Sequence, residues 1–122
     1  MNQNMELLKW LEQISSRIKK IESEALEALN RGEVGAYKRG MKDKAELLAG
    51  LAKEAEPHLE GVSKEIAGHV RSELERFSHS AGVALELDSV FYMSALLYPE
   101  EHRPGEPNNF ELFAAEVAAK TD

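Results

Sequence analysis

Cysteine is absent from this chain of 122 residues, and the structures that depend on it are absent too. Disulfide bonds, thiolate metal sites and cysteine nucleophiles are therefore excluded. Proline is rare, and three of the four prolines fall between residues 99 and 107. β-Branched residues are scarce, whereas Leu, Ala, Glu and Lys dominate, and this usage favours helix over strand. We predict an all-α protein.

We also expect no signal peptide, and a long hydrophobic run is lacking. The first residues contain no basic region followed by an apolar run and a small-residue cleavage site. The most apolar window, residues 81–98, includes Glu86 and Asp88 and is too short and too charged to span a membrane. Together with the absence of cysteine, these features predict a cytoplasmic protein with no membrane partner.

Positive charge is in short supply in the second half of the chain. The net charge is −7, and residues 57–122 carry five Lys/Arg against twelve Asp/Glu, whereas residues 1–56 carry ten of each. Nucleic-acid binding requires clustered positive charge to neutralise phosphates. The nearest basic patch, at Lys38, Arg39 and Lys42, is interrupted by neighbouring acidic residues. We therefore expect no nucleic-acid partner.

A heptad pattern dominates the first thirty residues and predicts a long helix over residues 4–30 with a coiled-coil seam. The seam residues are Leu7, Leu11, Ile14, Ile18, Ile21, Ala25, Ala28 and Leu29. Asn30 and Gly32 tolerate a left-handed backbone and are expected to end this helix. The helical pattern resumes at once and predicts a second helix over residues 33–56. Such a short connection implies an antiparallel hairpin.

The remaining apolar periodicity predicts a third long helix over residues 58–97, because Pro57 suits a first helical turn. The poor helix formers of residues 78–82 leave a bend open, and we favour an unbroken helix. Pro99, Pro104 and Pro107 then predict a loop. Asn108 caps a short last helix over residues 109–120. The expected fold is one helical-bundle domain over residues 1–122: a long antiparallel hairpin, a third long helix and a short C-terminal helix.

The segment from residue 81 to 98 is apolar on every side of the predicted helix, and such a helix must be buried all round. One hairpin covers only one side. The rest is therefore core with a homodimer interface, a surface for another protein, or a small-molecule pocket. We predict a surface that binds a partner's amphipathic helix, which displaces Phe110, Phe113 and Val117 of the C-terminal helix. The predicted partner-binding residues are Val90, Phe91, Met93, Leu96, Leu97, Phe110 and Phe113.

Glu65, His69 and Glu73 share one helix face at four-residue spacing and are the candidate ligands for a divalent metal. No second helix offers a matching set, so surface pairing between these side chains is the favoured interpretation. Ser78, His79 and Ser80 are adjacent on a helix and point in different directions, which is not the geometry of a catalytic triad. We expect no cofactor and no enzymatic activity.

Residues 24–51 resemble the helical hairpin of flagellar type III export chaperones. The shared features are a long heptad helix, a short polar turn, and a second helix in which Lys44 precedes Leu47, Leu48 and Leu51. The resemblance implies a cytoplasmic, non-enzymatic, all-helical protein that holds export-bound flagellar proteins by helix-on-helix contacts. The leading hypothesis is therefore a protein–protein interaction module that forms homodimers. The alternative is a helical bundle that binds a metal or a small molecule.

Overall fold

A computed structural model describes residues 2–121 of the protein, with side chains from residue 4 onward. Over this range the chain forms six α-helices and one 3-10 turn, with no strand, and the predicted all-α bundle is confirmed. The elements, in chain order, are α1 (Asn2–Asn30), α2 (Val34–Ala49), α3 (Leu51–Glu54), the 3-10 turn (Glu56–Leu59), α4 (Lys64–Glu86), α5 (Val90–Ala95) and α6 (Asn109–Lys120).

The helices α1 and α2 form the predicted antiparallel hairpin. Gly32 adopts a φ of 82° and its N–H donates to the Leu29 carbonyl, while the N–H of Glu33 donates to the Ala28 carbonyl. These two bonds are a Schellman motif, which ends α1 and reverses the chain. Along the hairpin Gly40 lies against Ala25, where an added Cβ would meet the Ala25 Cβ at 2.7 Å. The missing side chain of Gly40 therefore allows the two helices to approach closely.

The second and third helices differ from the prediction at their junction. The helix expected over residues 33–56 is interrupted at Gly50, and the one expected to begin at residue 58 begins at Lys64. Pro57 lies in the 3-10 turn, and Gly61 follows with a φ of 78°. Ser63 then caps α4 by accepting the N–H of Ile66. The prediction was wrong here because a left-handed glycine separates Pro57 from the helix.

The 3-10 turn is fastened to the first turns of α1. The ring of His58 stacks on Trp10 with centroids 4.5 Å apart, and its Nδ1 lies 2.6 Å from Glu6 Oε1. The same turn places Leu59 in the core. The connection between α3 and α4 therefore packs against α1 and the core.

Helix α4 passes without a break through residues 78–82, as we favoured, but it ends at Glu86 instead of continuing to residue 97. Ser78 is satisfied by tertiary bonds: its hydroxyl donates to the Leu48 carbonyl and accepts the N–H of Ala52. The helix ends because Asp88 adopts a φ of 50°. The N–H of Asp88 and of Ser89 then close a second Schellman motif on α4.

Ser89 also begins α5, since its hydroxyl accepts the N–H of Tyr92. The chain leaves α5 through Leu97, which adopts a φ of 77° and whose carbonyl accepts the N–H of Asn109. Asn108 caps α6 as predicted, and with Glu111 it forms a capping box whose two bonds are both 2.8 Å long. The two helices after α4 thus each begin at a polar side-chain cap.

The main core lies where α1, α2 and α4 meet the C-terminal helix α6, which packs against α1 and α4. An aromatic group of Phe77, Phe110 and Phe113 fills the space under α6, with ring centroids 5.8 to 5.9 Å apart. A smaller core joins the other end of the hairpin to α4 and α5 through Ala25, Met41, Ala45, Ala84 and Met93. Among the described helices, none combines the length and apolarity that a membrane crossing requires.

Candidate functional site

Most of the predicted partner-binding residues belong to the core. Met93, Leu97, Phe110 and Phe113 are buried, whereas Val90 and Leu96 are partly buried. Of the seven, only Phe91 is freely exposed, at 74% of its surface. Val117 is also fully buried in the main core. A partner helix that displaced Phe110, Phe113 and Val117 would open this core, so the predicted displacement mechanism does not fit the fold.

A groove with exposed apolar walls lies between the last turns of α4 and the segment that contains α5. Val83 and Leu87 form the α4 wall and are 40% and 59% exposed, and Tyr92, at 53%, faces them from α5. Leu96 and Leu97 line the floor. The volume of this cavity is about 590 Å³. None of the apolar wall residues was among the predicted site residues.

A second cavity, of about 450 Å³, continues along α4 towards α6. It shares four lining residues with the first, namely Ser80, Leu96, Leu97 and Asn109. Its far end carries Glu73 and Arg76 of α4, together with Leu112 of α6, which is 54% exposed. We call the combined depression from Glu73 to Leu87 the α4 groove. Glu73 and Leu87 are fourteen positions apart, which corresponds to about 21 Å at ~1.5 Å per residue and matches four turns of a second helix.

The chain segment that forms most of the α4 groove is rich in acidic residues. Residues 73–101 contain six carboxylates and a single Lys/Arg, Arg76, whose guanidinium lies 3.2 Å from Glu73. Five of these acidic residues are exposed: Glu75, Glu86, Asp88, Glu100 and Glu101. Neither cavity is lined by a lysine. The two carboxylates that line the groove itself, Glu73 and Glu116, are paired with Arg76 and His69.

The wall formed by α5 and the residues after it is held by a buried polar cluster under it. Lys44 of α2 is fully buried, and its Nζ lies 2.8 Å from Glu22 Oε2 and donates to the Ser94 carbonyl at 3.2 Å. The Tyr98 hydroxyl donates to Glu22 Oε1 at 2.6 Å. Nζ also lies 4.9 Å from the centre of the Tyr98 ring. We call these four residues the Lys44 cluster; they join α1, α2 and the groove wall.

Burial governs the protonation of the Lys44 cluster. Desolvation lowers the pKa of Lys44, and the hydrogen bond and charge of Glu22 oppose this effect. Desolvation raises the pKa of Tyr98 above its ordinary value, and the hydrogen bond to the Glu22 carboxylate raises it further. Tyr98 therefore remains a protonated donor. Because Lys44 is fully buried, its amine stabilises the packing of the helices and does not contact a substrate.

The three candidate metal ligands do not converge on one site, and two of them are engaged with other side chains. His69 of α4 is bonded to Glu116 of α6 and lies beside the Phe113 ring, and Glu73 is bonded to Arg76. Glu65 is exposed in the first turn of α4. In the part of the chain that the structure describes, no group of three or more His, Asp or Glu side chains could hold a metal ion.

Two kinds of residue that form or support the α4 groove were not assigned to it from the sequence. The prediction placed Val83, Leu87 and Tyr92 on different sides of one continuous helix. The turn at Asp88 ends that helix and brings the three side chains to the same cavity. The burial of Lys44 could have been predicted from the sequence, because it lies at heptad spacing between Met41 and Leu48 on the buried stripe of α2. Comparisons with protein-family models, with curated proteins and with solved structures gave no match to this chain.

Proposed function

We propose that the protein is a non-enzymatic interaction module whose α4 groove binds an amphipathic helix of another protein. The observation that carries this proposal is the alignment of four exposed large side chains, Val83, Leu87, Tyr92 and Leu112, along one groove. Large contiguous apolar patches on a folded protein mark interaction sites. In helix-in-groove binding, the apolar face of an amphipathic helix lies in a hydrophobic groove of this kind.

Val83 and Leu87 are one helical turn apart, so their side chains present a regular ridge to a second helix. Full burial of a Val or Leu side chain contributes about 1.5–3 kcal/mol. Several such contacts would offset the ordering cost of a short helix. The groove walls are held by the core and the Lys44 cluster, so little rearrangement is needed on binding.

We further propose that the module acts in the cytoplasm as an export-type chaperone. The support is the resemblance of residues 24–51 to the hairpin of flagellar export chaperones. In this proposal, the α4 groove covers a helix of the partner protein until that protein is exported. The predicted homodimer is a separate proposal, which sedimentation of the full chain tests.

The α4 groove can be tested with a probe peptide of about 14 residues that matches its length. The peptide carries Leu at helical spacing and Gln elsewhere, so that only its apolar stripe is recognised. Titration of the ¹⁵N-labelled protein should shift the amides of residues 80–98 and 109–113. Leu87→Asp should abolish binding, whereas Leu26→Asp, at an exposed site on α1, should not. Absence of binding, or shifts that ignore Leu87→Asp, would overturn the proposal.

A further inference from the structure

We infer that the Lys44 cluster positions the floor of the α4 groove: it holds both ends of the turn over residues 95–98 and thereby keeps Leu97 in a left-handed conformation. This inference rests on the proposed function, because the turn supplies the surface on which the bound helix lies. It makes Lys44 a positioning residue, which acts on binding through the residues that it holds, although it is itself fully buried.

The turn after α5 has the backbone of a glycine turn but contains no glycine. Leu96 has a φ of −54° and a ψ of 133°, and Leu97 has a φ of 77°. The N–H of Tyr98 donates to the Ala95 carbonyl at 3.0 Å, which completes a type II β-turn. The third residue of such a turn is usually Gly or Asn, because a left-handed backbone crowds the Cβ of other residues. A leucine at this position is strained, and such strain persists only where the surroundings enforce it.

The side chains of this turn form the floor that the two cavities of the groove share. Leu96 and Leu97 line both cavities. Leu97 is only 6% exposed and also belongs to the main core. A glycine would suit the backbone of the turn, but it would leave the floor without this side chain. The strained leucine therefore supplies apolar contacts that the favoured residue cannot supply.

The Lys44 cluster is attached to both ends of the turn. Lys44 Nζ donates to the carbonyl of Ser94, the residue directly before the turn. Tyr98 is the last residue of the turn; its hydroxyl donates to Glu22, and its ring centre lies 4.9 Å from Nζ. Lys44 and Glu22 are themselves paired at 2.8 Å, so one buried polar group holds both ends. A right-handed backbone at Leu97 would redirect the chain and displace one of these ends.

The backbone of Leu97 can be observed without any ligand. A left-handed residue brings its own amide and α hydrogens close together, so the nuclear Overhauser effect (NOE) between them should be strong for Leu97. Lys44→Met and Tyr98→Phe each remove one attachment of the turn and should weaken this NOE. The control is Val70→Ala, at a site that is fully buried in the main core and lines neither cavity. This variant should lose stability and keep the NOE.

Two substitutions of Leu97 measure its conformation independently. Leu97→Ala and Leu97→Gly both remove the side chain from the floor and from the core. At an ordinary position the alanine variant is the more stable of the two, whereas at a left-handed position the glycine variant is. We therefore expect Leu97→Gly to unfold at a higher urea concentration than Leu97→Ala. The opposite order would overturn the inference.

Binding of the probe peptide with Leu at helical spacing and Gln elsewhere connects the turn with the groove. Fluorescence anisotropy of the labelled peptide gives its dissociation constant. We expect Lys44→Met to weaken binding about tenfold, a difference of about 1.4 kcal/mol. Val70→Ala should bind the peptide as the native protein does. An equal loss of affinity in Val70→Ala would trace the effect to stability alone and overturn the inference.

The remaining outcomes separate this inference from the proposed function. An unchanged NOE in both Lys44→Met and Tyr98→Phe would overturn the inference, since core packing would then be enough to hold the turn. A weakened NOE with unchanged affinity would also overturn it, because binding would not depend on the turn. Absence of peptide binding by the native protein would overturn the proposed function. In that case a weakened NOE in the two variants would still support the attachment of the turn to the Lys44 cluster.

Discussion

Lys44 Nζ lies 2.8 Å from Glu22 Oε2 inside the protein, and the lysine has no exposed surface. The pair connects α1 with α2, and through Ser94 and Tyr98 it reaches the wall of the α4 groove. A buried ion pair adds little net stability compared with apolar replacements, but the loss of one partner leaves an uncompensated charge.

The two partners of this pair should therefore respond very differently to substitution. Glu22→Ala leaves the buried ammonium without its carboxylate, and we expect a loss of about 3–5 kcal/mol in unfolding free energy. Lys44→Met keeps the volume and leaves a Glu22 carboxylate that is 18% exposed and still accepts the Tyr98 hydroxyl, so its cost should be smaller. Urea unfolding followed by circular dichroism measures both. Equal costs for the two variants would show that the pair contributes through attraction rather than through avoided desolvation.

Stability at alkaline pH should depend on Tyr98. Its pKa is raised above the ordinary value of 10.0, first by burial and then by the Glu22 carboxylate. Above pH 10 the folded state therefore holds a proton that the unfolded state has released, and unfolding free energy falls as pH rises. Below pH 10 both states hold the proton, and this contribution is fully present. Unfolding curves from pH 8 to 11 should show a steeper decline for the native protein than for Tyr98→Phe. Parallel declines would contradict the prediction.

Two helical glycines should give opposite results for the same substitution. At Gly40 an added Cβ would lie 2.7 Å from the Ala25 Cβ, so Gly40→Ala forces α1 and α2 apart and should cost about 1–3 kcal/mol. At Gly68, exposed within α4, nothing lies within 4 Å of an added Cβ. Gly68→Ala should therefore stabilise the protein by roughly 0.5–1 kcal/mol through helix propensity. Thermal unfolding of both variants tests the pair, and a stabilising Gly40→Ala would contradict the close packing of the hairpin.

Local signals were sufficient to predict the ends of the chain's best-defined helices. Gly32 ends α1 and the pair Asn108 and Glu111 begins α6, because the residues that carry these caps act through their own backbone neighbours. The heptad stripe of α1 likewise predicted its buried face, and six of its residues are buried in the structure: Leu7, Leu11, Ile14, Ile18, Ala25 and Ala28.

The segment after α4 could not be predicted in the same way. Asp88 and Ser89 stand inside an apolar run, where no proline or glycine marks the end of a helix. The left-handed turn at Asp88 changes the direction of the chain, so periodicity computed across it assigned Met93 and Leu97 to a binding face although both are core. The pairing of His69 with Glu116 joins residues 47 positions apart, and helical spacing does not reveal such a contact.

The Lys44 cluster also has a consequence for how the chain acquires its structure. Glu22 is twenty-two positions from Lys44, whereas Ser94 is 50 positions from Lys44 and Tyr98 is 76 from Glu22. The hairpin alone supplies only the Glu22 carboxylate. The contacts with Ser94 and Tyr98 require closure of long loops, which carries a larger entropic cost. Because Lys44 finds its remaining partners only in residues 94–98, the hairpin alone leaves this lysine without its full set of contacts. We therefore expect the hairpin to form and α5 to dock in one cooperative step.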